Sequence, residues 1–147
     1  MEKDYSIFFQ LIRLGLGISD EAVGIPMEAW KGLYKEAERQ SMLGVVFEGV
    51  NRNVNLGGTK PPTALVLKWM GISQVIKRKN VKFDEEAKRL TQLFDENGIF
   101  TVILKGQGNE LLYPVRGCRI PGDIDIFVDG GKDFVVDWID RHGLADR

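Results

Sequence analysis

The feature that most constrains the fold of this chain is a change of hydrophobic period near residue 98. From residue 63 to residue 97 apolar side chains recur at helical spacing, and Asn97-Gly98 supplies a helix end. The next residues, IFTVIL, are instead a short run of β-branched and aromatic side chains, which is typical of a buried strand. The chain therefore begins with helices and changes to a sheet-forming pattern near its last third.

The remaining periodicity predicts the other elements around this change. Helices are expected over residues 5–16 and from Pro26 toward Arg52, and the Asn-, Gly- and Pro-rich stretch 51–62 is expected to be an exposed loop. Residues 106–113 allow one or two helical turns, residues 123–128 a second strand, and residues 132–142 a last helix. The sequence thus predicts an α+β fold, with a helical region over 1–97 and a β-α-β-α unit over 98–147 that together form one compact domain.

Composition excludes several classes of protein. With 147 residues, 44% of them hydrophobic, the chain has enough apolar material for a core, and its formal net charge of -1 gives no strong nucleic-acid signal. A single cysteine, Cys118, excludes an intrachain disulfide. The start of the chain lacks the order of regions of a signal peptide, and no apolar stretch is long enough to span a bilayer, so we expect a cytoplasmic protein with no membrane partner.

Two aspartates in the sequence GDIDIFV are the strongest candidates for chemistry. Strand alternation places Asp123 and Asp125 on one side, with α-carbons about 6.5–7 Å apart. Both carboxylates could then reach one divalent cation or a pair of them, and oxygen ligands favour Mg²⁺ or Mn²⁺. The alternative is that both merely line the wet face of an edge strand.

A second candidate is the LKG triplet at the end of the first predicted strand. Gly106 opens a short helix there, where free backbone N–H groups and the helix dipole favour a phosphate, and Lys105 adds a positive charge. Arg116 and Arg119 follow in a loop, and guanidinium groups suit phosphate oxygens. Alternatively, Gly106 only makes a turn and the basic side chains are solvated.

Taken together, strand-LKG-helix followed by RIPGDIDIFV resembles the uncharacterised nucleotidyltransferase family of the DNA polymerase β-like superfamily. The resemblance covers residues 99–138 and depends on four groups of residues: Leu104-Lys105-Gly106, Tyr113-Pro114, Arg119, and residues 122–125. It implies a small mixed sheet flanked by helices, with Asp123 and Asp125 as catalytic ligands of Mg²⁺ or Mn²⁺. It also implies that Lys105, Gly106 and Arg119 lie near the phosphates of a nucleoside triphosphate, whose nucleoside monophosphate is transferred to an unknown acceptor.

The chain departs from the pattern of the superfamily at two points. Gly106-Gln107 stands where most members have Gly-Ser, and the third carboxylate that members carry on a later strand is missing. Asp133, Asp137 and Asp140 fall on the predicted last helix, where they are poor substitutes. We therefore expect a fold that is incomplete at its C-terminus, with unpaired sheet edges through which a homodimer could form.

These departures leave alternatives to catalysis open. One is a non-catalytic nucleotide-binding or interaction module derived from a nucleotidyltransferase, and another is an antitoxin-like regulator, by analogy with the family. His142 and Cys118 are both poor candidates for catalysis, since the histidine lies at a helix end and the cysteine has no nearby base in sequence. The three tryptophans fall on apolar helix faces and are expected in the core: Trp30, Trp69 and Trp138.

Overall fold

The computed structural model describes residues 2–144, and the side chains of residues 6–144. Helices dominate the fold. They are α1 (Glu2–Gly15), a 3₁₀ turn (Met27–Ala29), α2 (Trp30–Arg39), α3 (Leu43–Asn55), α4 (Thr63–Glu96), α5 (Gln107–Glu110) and α6 (Gly131–Arg141). The strands are β1 (Thr101–Ile103) and β2 (Ile126–Val128). The predicted first and last helices are thereby confirmed. The loop predicted over residues 51–62 is shorter, because residues 51–55 form the end of α3.

The helical core forms where α1 crosses α3, with α2 packed against both helices and α4 packed against α3. Two glycines allow the crossing, because a Cβ at Gly15 would overlap the backbone of Val45 and a Cβ at Gly49 would overlap that of Leu11. The buried side chains of this core are Phe8, Leu11, Leu14, Ile25, Trp30, Leu33, Tyr34, Ala37, Leu43, Val46, Phe47, Val50, Trp69 and Ile76. Backbones in contact bring these apolar side chains close enough to pack without voids.

The single helix predicted from Pro26 toward Arg52 is wrong, because the chain turns between α2 and α3. Ser41 has a positive φ of 55°, and the N–H of Met42 closes the end of α2 on the carbonyl of Ala37 at 2.8 Å. The apolar stripe of α2 would continue at residues 40 and 41, but those are Gln40 and Ser41. Turning there lets α3 present its own apolar stripe to the core.

The longest helix, α4, runs unbroken through Gly71 and Asn80 for 34 residues. It is tied to α3 by Trp69, whose indole N–H donates to the carbonyl of Leu43 at 2.8 Å and whose ring packs between those of Tyr34 and Phe47. At its other end Phe94 packs on Trp138 of α6, with ring centroids 4.6 Å apart. The prediction that the three tryptophans are buried is confirmed.

The sheet is a single antiparallel pair, with Thr101 opposite Val128 and Ile103 opposite Ile126. Both strands are shorter than predicted. The first covers only Thr101–Ile103, and the prediction that it is buried is wrong, because Phe100, Val102 and Leu104 are exposed on a sheet of only two strands. The second begins at Ile126, so that the aspartate-containing residues 123–125 precede it. The α+β class is confirmed, and among the described residues the sheet contains antiparallel pairing alone. Within residues 2–144 each strand also has one edge without a strand partner, so the homodimer expected through these edges stays a prediction.

Among the described residues, none of the helices combines the length and the apolarity needed to cross a membrane.

Candidate functional site

The register of the sheet brings the two sequence motifs together. Because β1 and β2 are antiparallel, the end of β1 lies beside the start of β2. The N–H of Leu104 donates to the carbonyl of Asp125 at 2.9 Å, which extends the pairing by one residue beyond the strands. The Lys105-Gly106 turn and residues 123–125 therefore lie side by side at one end of the sheet.

The charged side chains at this end interact directly. Lys105 Nζ lies 3.1 Å from Oδ2 of Asp125. The ion pair with Asp125 raises the pKa of Lys105, the charge of Asp123 raises it further, and the positive charge of Arg119 opposes both. Lys105 therefore keeps its proton at neutral pH, beside two carboxylates and a guanidinium.

Asp125 is the better enclosed of this ion pair. Its side chain is 28% exposed, whereas that of Lys105 is 66% exposed. The Oδ2 atom itself is buried, and among the described residues its charged partner is the ammonium group of Lys105. A buried carboxylate oxygen with free lone pairs is able to take a further cationic or hydrogen-bonding partner.

Gly106 is buried at the centre of the site and has φ 69° and ψ -110°. A Cβ at this position would lie 3.3 Å from the carbonyl oxygen of Asp123 and 3.9 Å from Nη1 of Arg119. The positive φ strains any side-chain-bearing residue, and a side chain would also crowd the space between the aspartates and the guanidinium. Glycine thus keeps this space open.

The helix that follows Gly106 is shorter than a phosphate-binding helix usually is. With only four residues, Gln107–Glu110, α5 has little macrodipole to offer an anion, although its first backbone N–H groups lack intrahelical partners. Any phosphate here would depend mainly on these N–H groups and on basic side chains.

Of the two loop arginines, only Arg119 is placed beside Gly106. Its Nη1 atom is buried and has no hydrogen-bond acceptor among the described residues. A buried guanidinium N–H without an acceptor is uncommon and suggests a missing anionic partner. Arg116 is exposed.

Three buried polar residues support the loop that carries Arg119, and sequence reasoning did not identify them. They are Asn80 on α4 and Gln107 and Glu110 on α5, with exposed fractions of 2%, 6% and 1%. Asn80 could have been identified from the sequence by its position on the face of α4 where apolar residues recur at helical spacing. No sequence pattern identifies Gln107 and Glu110, because their partners lie in distant parts of the chain.

Gln107 occupies the position where most superfamily members have serine, and its side chain turns into the protein. Its Nε2 atom donates to Oδ1 of Asp84 at 2.5 Å and to Oε2 of Glu110 at 3.2 Å. The bond to Asp84 connects α5 to α4, whereas the bond to Glu110 stays within α5.

The other candidate groups lie in structural settings. Cys118 is buried, and this burial raises the pKa of its thiol to about 11, which disfavours a reactive thiolate. The ring of His142 stacks on Trp138 at 3.9 Å, and its Nδ1 lies 2.8 Å from the carbonyl of that residue. Asp137 on α6 pairs with Arg141.

Over the part of the chain whose side chains are described, no three His, Cys, Asp or Glu residues cluster closely enough to hold a metal ion by themselves. A cation held by Asp123 and Asp125 would thus take its other ligands from different oxygen atoms, such as those of phosphate or water.

The chain matches a known protein family over most of its length. Residues 26–134 match the family described as uncharacterised nucleotidyltransferase. The chain belongs to this family. The match begins in the helical region and runs through the whole candidate site, so a general nucleotidyltransferase-like function applies to the chain. No curated protein and no solved structure gives a significant match.

Proposed function

We propose that this protein is a Mg²⁺- or Mn²⁺-dependent nucleotidyltransferase that takes a nucleoside triphosphate and transfers its nucleoside monophosphate to an acceptor. Asp123 and Asp125 are assigned as the metal ligands and catalytic carboxylates. Lys105, Gly106 and Arg119 are assigned to the phosphates.

The observation that carries the proposal is a pair of buried atoms of opposite charge whose hydrogen bonding is incomplete, in the site around Gly106. Oδ2 of Asp125 is an acceptor that the ammonium of Lys105 meets at 3.1 Å, and Nη1 of Arg119 is a donor without an acceptor within the described residues. Leaving a buried donor without an acceptor is costly, so proteins retain such groups mainly where a ligand will complete them. A metal-bound triphosphate has the complementary charges, a cation for the carboxylate and phosphate oxygens for the guanidinium.

The chemistry of the donor set fits a hard divalent cation. Carboxylate oxygens are the protein ligands that Mg²⁺ and Mn²⁺ prefer, and Mg²⁺ in phosphoryl-transfer sites commonly uses one or two carboxylates together with phosphate oxygens. Such a cation, when bound, offsets the charge of the triphosphate. In the absence of nucleotide, the ammonium group of Lys105 neutralises part of the negative charge of Asp125 through their ion pair.

The proposal is tested by titrating ATP, GTP, CTP and UTP into the protein by calorimetry, with and without Mg²⁺. We expect one of them to bind in a Mg²⁺-dependent manner, and the Asp123→Asn/Asp125→Asn double variant to lose this binding. The matched control is Asp137→Asn/Asp140→Asn, which removes the same charge from α6. Binding that persists in the site variant, or no binding by the folded protein, would refute the assignment.

One observation favours a second candidate, a nucleotide-binding module without catalysis. The described residues provide two carboxylates at the site and no cluster of three acidic or metal-binding side chains. A module of this kind, including an antitoxin-like regulator, would bind the metal-nucleotide complex but release no pyrophosphate. Measuring pyrophosphate release from the bound triphosphate in the presence of cell-extract acceptors separates the two functions.

A further inference from the structure

Asn80 is a buried amide in the middle of α4, and its bonds reach beyond its own helix. Nδ2 donates to the carbonyls of Ile76 at 3.1 Å, Gly117 at 3.2 Å and Arg119 at 2.7 Å. The first acceptor belongs to α4, but the other two belong to the loop between α5 and β2. The shortest of the three bonds is the one to Arg119, so this side chain links the rigid helix to the residue assigned to the phosphates.

The same loop is held from the other side by Glu110. Its buried carboxylate accepts the N–H of Gly117 and the Nε2–H of Gln107. Gly117 is thus fixed through both its N–H and its carbonyl, by residues on two different helices. Such doubly held backbone has little freedom to move.

The guanidinium of Arg119 depends on this backbone for its position. No side chain within residues 6–144 forms a hydrogen bond or an ion pair with it, and its Nη1 atom lies buried next to Gly106. When a long side chain has no side-chain partners, the position of its own backbone largely decides where its end group lies.

We infer that Asn80 is a positioning residue for nucleotide binding: it holds the carbonyl of Arg119 so that the guanidinium stays beside Gly106. This inference rests on the proposed function, because it needs Arg119 to contact phosphate. Asn80 is assigned no contact with a reacting atom. Because its effect on nucleotide binding is exerted through Arg119, that effect can be distinguished by experiment from a general effect on stability.

The test is a double-mutant cycle on the affinity for the preferred Mg²⁺-triphosphate complex. Arg119→Ala removes charged hydrogen bonds and is expected to weaken binding about 10- to 100-fold. Asn80→Ala is expected to weaken it about tenfold, because the arginine is no longer held. If Asn80 acts through Arg119, the double variant binds within about twofold of Arg119→Ala, whereas independent effects would multiply.

Asn53 provides a matched control at the opposite end of the helical region. It is another fully buried asparagine on a helix, and its side chain bonds both the N–H and the carbonyl of Val23, at 2.6 Å and 3.1 Å. Asn53→Ala should lower the melting temperature much as Asn80→Ala does, yet leave the nucleotide affinity unchanged. Equal losses of affinity in both variants would overturn the inference.

Two further measurements distinguish the possible failures. Hydrogen exchange of the Gly117 N–H reports the loop without any nucleotide, and it should speed up in Asn80→Ala; unchanged exchange would refute the positioning role even if nucleotide binds. If Arg119→Ala binds as tightly as the parent, the assignment of Arg119 to phosphate is wrong and the inference is wrong with it.

If Asn80→Ala does not fold, Asn80→Ser replaces it in the cycle. A helical serine bonds the carbonyl four residues earlier, here that of Ile76, and so releases Arg119 at a smaller cost in stability. It is expected to show the same loss of affinity, and full affinity in this variant would refute the inference.

Discussion

Gly44 on α3 lies directly against the backbone of the loop that carries Arg119. A Cβ at Gly44 would overlap the carbonyl oxygen of Cys118 and would lie 2.9 Å from its carbonyl carbon. Both atoms belong to the main chain, so no side-chain rotation relieves the overlap. The substitution Gly44→Ala therefore sets a gain in helix propensity against a collision with a fixed loop.

The two effects have comparable sizes, and the structure indicates which is larger. Replacing a helical glycine by alanine stabilises a helix by about 1 kcal/mol. Forcing an extra carbon into a packed contact costs about 1–3 kcal/mol, and here the moving part is main chain held by Asn80 and Glu110, so the upper end applies. We expect Gly44→Ala to lower the free energy of unfolding by about 2 kcal/mol, or the melting temperature by roughly 4–8 °C.

Gly71 on α4 is the matched control, because it is exposed and a Cβ there would meet no atom within 4 Å. Gly71→Ala should therefore raise the free energy of unfolding by about 0.5–1 kcal/mol. Urea denaturation followed by circular dichroism measures both variants. Stabilisation by Gly44→Ala similar to that by Gly71→Ala would refute the close packing of the loop on α3.

Three further predictions concern single side chains of the site. Lys105→Met removes the ammonium that pairs with Asp125 and should tighten Mn²⁺ binding without nucleotide by up to about fivefold, as measured by electron paramagnetic resonance; weaker binding would contradict this competition. Gln107→Ser, which introduces the residue usual in the superfamily, should lower the free energy of unfolding by about 1–3 kcal/mol in urea titrations, because the buried Glu110 loses a donor. The raised pKa of Cys118 means that the folded state holds the thiol proton more tightly, so the contribution of this thiol to stability should be constant below about pH 8 and fall by up to about 3 kcal/mol as the pH rises through 9 to about 11. Cys118→Ala should lack that part of the fall, and an identical pH profile in both proteins would contradict the burial of the thiol.

The sequence predicts the parts of the fold in which apolar side chains recur regularly over many residues, and those in which their spacing changes. The helical character of residues 63–96 and the change of period before β1 follow from the spacing of apolar residues. The spacing left open whether Gly71 or Asn80 interrupts the helix, and the structure shows that neither does. The turn between α2 and α3 was missed because Gln40 and Ser41 interrupt the stripe for only two residues, too few to distinguish a turn from a polar position within one helix.

The side-chain network of the site was not predictable for a different reason. The bond between Asn80 and Arg119 joins residues 39 positions apart, and that between Asp84 and Gln107 joins residues 23 apart. Patterns within a short window carry no information about such pairs. The prediction that Asp123 and Asp125 are metal ligands stays a prediction, although the pairing of β1 with β2 brings residues 123–125 beside Lys105 and Gly106.

The most direct test of the proposed site uses Mn²⁺ as a paramagnetic substitute for Mg²⁺ in the presence of a non-hydrolysable nucleoside triphosphate. Mn²⁺ broadens the amide signals of nearby residues, so the affected signals locate the ion. We predict broadening centred on Gly106 and residues 123–125, with loss of the effect in Asp125→Asn. Broadening centred elsewhere, for example on the exposed acidic residues Glu85 and Glu86, would contradict the assignment of this site.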